Sequence, residues 1–244
     1  MNPHSNIDVV QLPFLIQKSS LVALISTRWN LMFKIDHHLH TTRHSPDSYM
    51  EPEELIEQAR IVGLNGVVIT EHDALWDSEE LSELSAKFDD ITVLSGVEVS
   101  AREGHFLVYG LTDLDDCPPG VELAELLKIV RAQGAAIVAA HPFRWDQDFD
   151  AIVAEHGPVF DGLELVSNNV FPEMRVQIEA MLARYPNLGA TGSSDAHDTM
   201  TVGCYFTEFP VPIRSMREFV AALKAKAGRP RHRPGAVLLG GPID

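Results

Sequence analysis

The sequence predicts an α/β protein, a single domain in which a parallel sheet carries its helices on the outside. Three observations predict it. Short apolar runs alternate with helical stretches from residue 33 to residue 227. The runs are continuously apolar rather than alternating, as strands covered on both faces are. The chain has 244 residues, 45% hydrophobic and 22% charged, which is ordinary globular composition and the size of one α/β barrel of about 250 residues.

The elements follow in order. Strands are expected over residues 33–36, 66–70, 91–99, 106–111, 135–140, 162–166, 189–191 and 204–209, each rich in Val, Ile, Phe, Leu or Ala. Helices are expected over residues 51–62, 78–88, 121–133, 172–185 and 215–227. Pro52 and Pro172 stand at first-turn positions, and Ser78 leads into acidic residues, both helix-start signals. The tail over residues 228–244 is rich in Gly, Pro and Arg and reads as irregular. Residues 1–31 show no clear period and precede Met32. They read as an appended extension or as a coding start placed too early. Their apolar stretch from Val9 to Ile25 is broken by Gln11, Pro13, Gln17 and Lys18, and it lacks the flanks of a signal peptide. No run of about 18 apolar residues exists, so no membrane span is expected. The expected organisation is an extension at 1–31, one domain at 32–227 and a tail at 228–244.

Charge and cysteine content narrow the function. Asp and Glu number 35 against 19 Lys and Arg, a formal net charge of −16. Such a chain binds nucleic acid or an anionic membrane poorly, although bound divalent cations offset charge locally. Cys117 and Cys204 are too few for a disulfide framework and fit a reducing, cytoplasmic setting.

The chemistry lies in the eleven histidines. Most fall just after predicted strands, beside carboxylates. In Asp36-His37-His38-Leu39-His40, residues two apart point to one face of an extended chain. His38 and His40 therefore can grip one ion, while His37 and Leu39 face away. Further along stand Thr70-Glu71-His72-Asp73, Gly96-Val97-Glu98, Gly104-His105, Ala140-His141-Pro142 and Ser193-Ser194-Asp195-Ala196-His197. Alone, each motif has a bland reading as a core, turn or capping residue. Together they place an imidazole or carboxylate at five separate strand ends, which in an α/β barrel converge on one face. Imidazole with carboxylate suits Zn²⁺, Mn²⁺ or Fe²⁺.

In this order the motifs resemble the PHP (polymerase and histidinol phosphatase) family, from about Lys34 to Phe209. The resemblance implies a distorted (β/α)₇ TIM-like barrel, two or three divalent metal ions at its C-terminal face, and hydrolysis of phosphate esters by metal-activated water. It implies a first metal held by His38, His40, Glu98 and Asp195. Glu98 bridges to a second metal at His105 and His141. A third takes His72, His197 and one group from the loop after His40, with Asp47 favoured and His44 the alternative. Glu71 stands where an aspartate is usual in the family and reads as orienting a neighbouring histidine. By the same resemblance Glu98 and Asp195 hold the cluster, and His197 or His72 protonates the leaving group if the third site is empty. Arg102, Arg144, Arg43 and Asn168 are candidate substrate contacts, with Asn169, Trp76 and Trp145 nearby; arginine offers a planar fork to phosphate oxygens. His4, His156 and His232 read as surface residues. The expected partner is a small phosphorylated metabolite or nucleotide. A nuclease acting on short oligonucleotides is the alternative, and a non-catalytic metal-binding domain the third reading. The sequence says nothing of oligomeric state.

Overall fold

The computed structural model describes residues 32–243; the expectations for residues 1–31, His4 among them, lie outside these. Among the described residues, ten strands form two five-stranded sheets. The first holds β1 (Phe33–Asp36), β2 (Gly66–Ile69), β3 (Thr92–Ser95), β9 (Tyr205–Phe209) and β10 (Arg229–His232), in the order β10-β9-β1-β2-β3. The second holds β4 (Val97–Ala101), β5 (Gly104–Tyr109), β6 (Ala136–Ala139), β7 (Gly162–Val166) and β8 (Gly189–Gly192), in sequence order. Six helices complete the domain: α1 (Pro52–Ile61), α2 (Ser78–Ala86), α3 (Leu123–Gln133), α4 (Phe149–His156), α5 (Pro172–Arg184) and α6 (Met216–Lys224).

The sheets are mixed, which corrects the expectation of one parallel sheet. The pairs β1–β2, β2–β3, β6–β7 and β7–β8 are parallel, whereas β4–β5, β5–β6, β1–β9 and β9–β10 are antiparallel. The expected strand over 91–99 divides at Gly96, with β3 joining one sheet and β4 the other. Gly96 has no room for a side chain there, because an added Cβ would lie 2.7 Å from the Tyr109 ring. The tail is not wholly irregular, since β10 pairs with β9 across four residues. Helix α2 is capped by Asp77 rather than by Ser78: the Asp77 carboxylate accepts from Glu79 N at 2.8 Å. Pro52 and Pro172 open their helices as expected.

Backbone bonds join the sheets at one edge, where Glu98 N donates to Glu71 O at 3.0 Å and Asp73 N to Glu98 O at 2.9 Å. At the other edge Thr207 Oγ1 bridges to Gly192 N and Gly192 O, at 3.0 and 2.8 Å. The ladder is not continuous, so the sheets do not form one closed hydrogen-bonded barrel. Strand periodicity splits the core. Ile35, Val68, Leu107, Tyr109, Val138 and Phe209 pack in one cluster drawing on both sheets. Their sequence neighbours Val67, Ile69, Phe106, Val108 and Ile137 face the other way, into two clusters shared with helices.

This arrangement gathers the chemistry at one end. Residues past the C-terminal ends of β1, β2, β6 and β8 come from parallel strands and so emerge together. Strand β5 runs opposite to β6, with Phe106 paired to Ala139. Its first residues therefore lie beside the last of β6, and His105 reaches the same end as His141.

Candidate metal centre

Glu98 is the hub. Its carboxylate is buried, and Oε2 faces His38 Nε2 at 3.3 Å, His40 Nε2 at 3.2 Å and His72 Nδ1 at 3.0 Å. Oε1 faces His105 Nδ1 at 2.8 Å and His141 Nε2 at 3.2 Å. Asp195 is the second carboxylate: Oδ1 lies 3.2 Å from His38 Nε2 and 3.4 Å from His40 Nε2. On the outer side Asp47 Oδ2 stands 3.2 Å from His72 Nε2 and 3.3 Å from His197 Nε2. All nine ligands expected from the sequence thus meet in one cluster. His44 turns away toward Trp76, with ring centroids 5.9 Å apart, so Asp47 is the loop residue that reaches the cluster.

The electrostatics are those of opposed charges packed closely in a buried site. Burial works against charge on Glu98, yet His38, His105 and His141 hold its pKa well below the usual range. Burial opposes ionisation of Asp195 too, and His38 and His40 reverse it. Burial alone would depress His40; the Asp195 and Glu98 carboxylates beside it lift it to about 9. His38 is raised in the same way, against its burial, by Asp195, Glu98 and Glu164.

The donor set fits divalent cations. His38 Nε2, His40 Nε2 and Glu98 Oε2 are buried, aim at one another and have no hydrogen-bond partner. Three triads, His38–Glu98–His141, His38–His40–Asp195 and His40–His72–His197, each bring their ligand atoms within 4.8 Å. Imidazole nitrogen with carboxylate oxygen is the set that zinc, manganese and ferrous iron share.

A further layer fixes the rings. Glu164, wholly buried on β7, accepts from His38 Nδ1 at 3.0 Å, His141 N at 2.8 Å and Ser193 Oγ at 2.6 Å. Glu71 accepts from Ser45 Oγ at 2.6 Å and from Thr41 N at 3.0 Å, and Ser45 Oγ lies 3.2 Å from His40 Nδ1. Glu71 therefore orients His40 through Ser45. His141 and Asp195 hold left-handed backbone at φ 28° and 54°, the kind of strain that collects at functional sites.

The chain matches the PHP domain family over residues 36–180, and the PHP-associated family over residues 178–227. The chain belongs to the PHP domain family. An uncharacterised protein of Methanocaldococcus jannaschii is 26% identical over 162 residues, covering 58% of this chain and 93% of that one. Among solved structures, a two-domain Bacteroides vulgatus protein containing a predicted PHP-like metal-dependent phosphoesterase superposes with a TM-score of 0.63 at 19% identity. The match covers 95% of this chain and 70% of that one. A candidate metal-dependent phosphoesterase from Bifidobacterium adolescentis gives 0.53 at 23% identity, covering 68% and 88%. A lesion-specific endonuclease from Pyrococcus furiosus gives 0.59 at 18%, covering 80% and 56%. At these identities the likeness is one of fold.

The remaining expectations for this PHP domain fare unevenly. A cavity of about 240 Å³ over the cluster is lined by Arg144, Trp145 and Asn169 together with seven of the nine ligands. Arg144 thus lines the cavity over the cluster. Arg102 lies one cavity further out and pairs with Glu122 at 2.7 Å. Arg43 is not at the site: it pairs with Glu80 and lines a separate cavity. Asn168 is turned the wrong way, its Oδ1 accepting from Leu239 N of the tail at 3.3 Å. Its neighbour Asn169 takes the position instead and donates to Asp195 Oδ2 at 2.6 Å. Trp76 is a structural partner, its Nε1 donating to Glu71 Oε1 at 3.2 Å. His156 is not a surface residue, with 11% of its side chain exposed. Sequence reasoning missed Glu164, whose one signal is a carboxylate inside the apolar run Gly162-Leu163-Glu164-Leu165-Val166.

Proposed function

We propose that the chain is a metal-dependent phosphoesterase that hydrolyses the phosphate ester of a small molecule. The observation that carries this reading is the single cluster of nine candidate ligating side chains around Glu98, opening into a cavity of about 240 Å³. His38, His40, Glu98 and Asp195 would hold one ion, His105 and His141 with Glu98 a second, and His72, His197 and Asp47 a third. When bound, such ions polarise the phosphoryl group and lower the pKa of water toward about 7.

The protein's own groups do the rest. Glu98 and Asp195 balance the positive charge of the cluster and fix its spacing. Asn169 holds the Asp195 carboxylate in place. Arg144, which has no carboxylate partner among the described residues, offers its guanidinium to a phosphoryl oxygen. His197 is held below its usual pKa by burial and by the neighbouring charge of His40, which suits a lone-pair donor. Proton delivery to the leaving oxygen then falls to His72 when that ring is not ligating. The two sheets are read as halves of one distorted barrel, joined at both edges. A cytoplasmic setting accords with Cys117 and Cys204, which are free and buried.

The test strips the protein of metal, restores Mn²⁺, and assays small phosphomonoesters, nucleoside mono- and bisphosphates and a 5′-labelled oligonucleotide, with Asp195→Asn as control. Metal-dependent phosphate release from monoesters, lost in the variant, is the expected result. Shortening of the oligonucleotide with idle monoesters would overturn the reading in favour of a nuclease. Silence across the panel with metal bound would return the chain to a binding role.

A further inference from the structure

Beside the cavity over the cluster lies a second one of about 470 Å³. The two share one wall: His105, His141, Arg144 and Trp145 line both. An ester substituent that left the cluster cavity on this side would cross this wall. Four features of the wall are specific. Trp145 is 67% exposed. Its centroid lies 5.2 Å from that of His105 and 5.7 Å from that of His141. The Arg144 guanidinium sits 4.1 Å over the indole. Finally, Trp145 holds φ at 55°, with Phe143 at 70° and His141 at 28°; for a bulky residue such backbone is a true outlier.

The loop that carries Trp145 is pinned from outside. Gln147 Oε1 accepts from Phe143 N at 3.1 Å, and Gln147 Nε2 donates to Glu103 O at 2.6 Å. The loop is thereby fastened to the β4–β5 turn, and Trp145 is held out at the mouth instead of folding onto the cavity floor. The second cavity's acids are already engaged: Glu103 accepts from Leu123 N and Asp148 from Ala151 N. Its apolar lining is the indole with Ala101, Ala140 and Ile152, and Arg102, itself paired with Glu122, stands at its edge.

Resting on the phosphoesterase reading, we propose that Trp145 is the specificity-determining residue for the leaving group, and that this group carries a planar aromatic ring. The ring stacks on the indole, backed by the Arg144 guanidinium. Because the indole touches the two ligand histidines, only a ring one or two bonds from the ester oxygen meets it. Stacking on an aromatic side chain contributes enough to change affinity by about tenfold.

The test separates ring planarity from size and from leaving-group reactivity. Benzyl phosphate and cyclohexylmethyl phosphate have similar shape and similarly poor leaving groups, so they are compared on the full-length Mn²⁺-loaded protein. Their non-hydrolysable analogues with CH2 in place of the ester oxygen, 2-phenylethylphosphonate and 2-cyclohexylethylphosphonate, are titrated by calorimetry. The wild type is expected to bind and turn over the benzyl member about tenfold better, the difference lying in KM. Trp145→Leu, which keeps an apolar contact without a π face, should bring the ratio near one, and Trp145→Phe should restore part of it. Equal affinity for the two phosphonates in the wild type, no binding of either, or a preference that survives Trp145→Leu would each overturn the proposal. Turnover of another phosphoester, lost in Asp195→Asn, would in that case leave the phosphoesterase reading standing. Absence of all turnover despite selective 2-phenylethylphosphonate binding would overturn that reading and leave the stacking site.

Discussion

Glu164 touches no substrate, yet it sets the position of His38 through Nδ1 and of His141 through its backbone amide. Such orienting carboxylates are worth about 10- to 100-fold in metal affinity. Glu164→Gln should lose that much, read by titration against a competing chelator, with the circular dichroism spectrum unchanged. His37 lies on the opposite face, between Tyr109 OH at 2.7 Å and Thr207 Oγ1 at 3.1 Å. Burial, aided by the charge of His38, lowers its pKa to about 4 from an ordinary 6.5. Its folded-state pKa is depressed, so its contribution is complete above pH 6.5 and is lost as pH falls through 4, an effect of about 3 kcal/mol. The gap in melting temperature between wild type and His37→Asn should narrow steadily from pH 7.5 to pH 4.5. At this scale the residues that gather around Glu98 were legible from donor type, strand-end position and the family's motifs. The choice between Asn168 and Asn169 was not, because it depends on the tail claiming Asn168 from 71 residues away.

Elements were legible where their pattern is local. Helix α4 escaped because eight residues with apolar Phe149, Ile152 and Val153 are too few to separate a helix from a buried strand. Strand β10 escaped because Arg-Pro-Arg-His has no strand propensity of its own; the exposed edge of β9 recruits it, and an edge strand tolerates Pro230. The turn between β4 and β5 shows how one glycine controls the site at a distance. Gly104 holds φ at 149°, and a Cβ there would strike the Gln147 side chain, the same side chain that pins the loop of Arg144 and Trp145. Gly104→Ala should therefore lower kcat/KM for a bulky ester as well as stability, the latter by about 1–3 kcal/mol. Adding Gln147→Ala should recover part of the stability and none of the lost kcat/KM, a non-additive pair readable in one double-mutant cycle.

Across the whole molecule, the tail works as a buttress. Ala236, Leu238 and Ile243 pack on Val166, Cys204 and Tyr205. Tyr205 OH donates to Gly241 O at 2.7 Å, and Arg175 Nη1 to Pro242 O at 2.9 Å. Ending the chain after Pro234 should cost about 2–4 kcal/mol of apolar burial, lowering the melting temperature by several degrees. It should also loosen the turn that aims Asn169 at Asp195, so kcat/KM falls further than stability alone explains. That two sheets meet around one cluster was legible only in outline. The alternation of strands and helices gave the class, while the reversal of β5 and the break at Gly96 depend on contacts between residues far apart in the chain. The two cavities that share the Arg144–Trp145 wall have a kinetic corollary. Phosphate and alcohol end the proposed reaction in separate chambers, and the outer one empties first. Phosphate leaving last should inhibit competitively with the ester, and the alcohol non-competitively, so the order of departure can be read from initial rates with each product added.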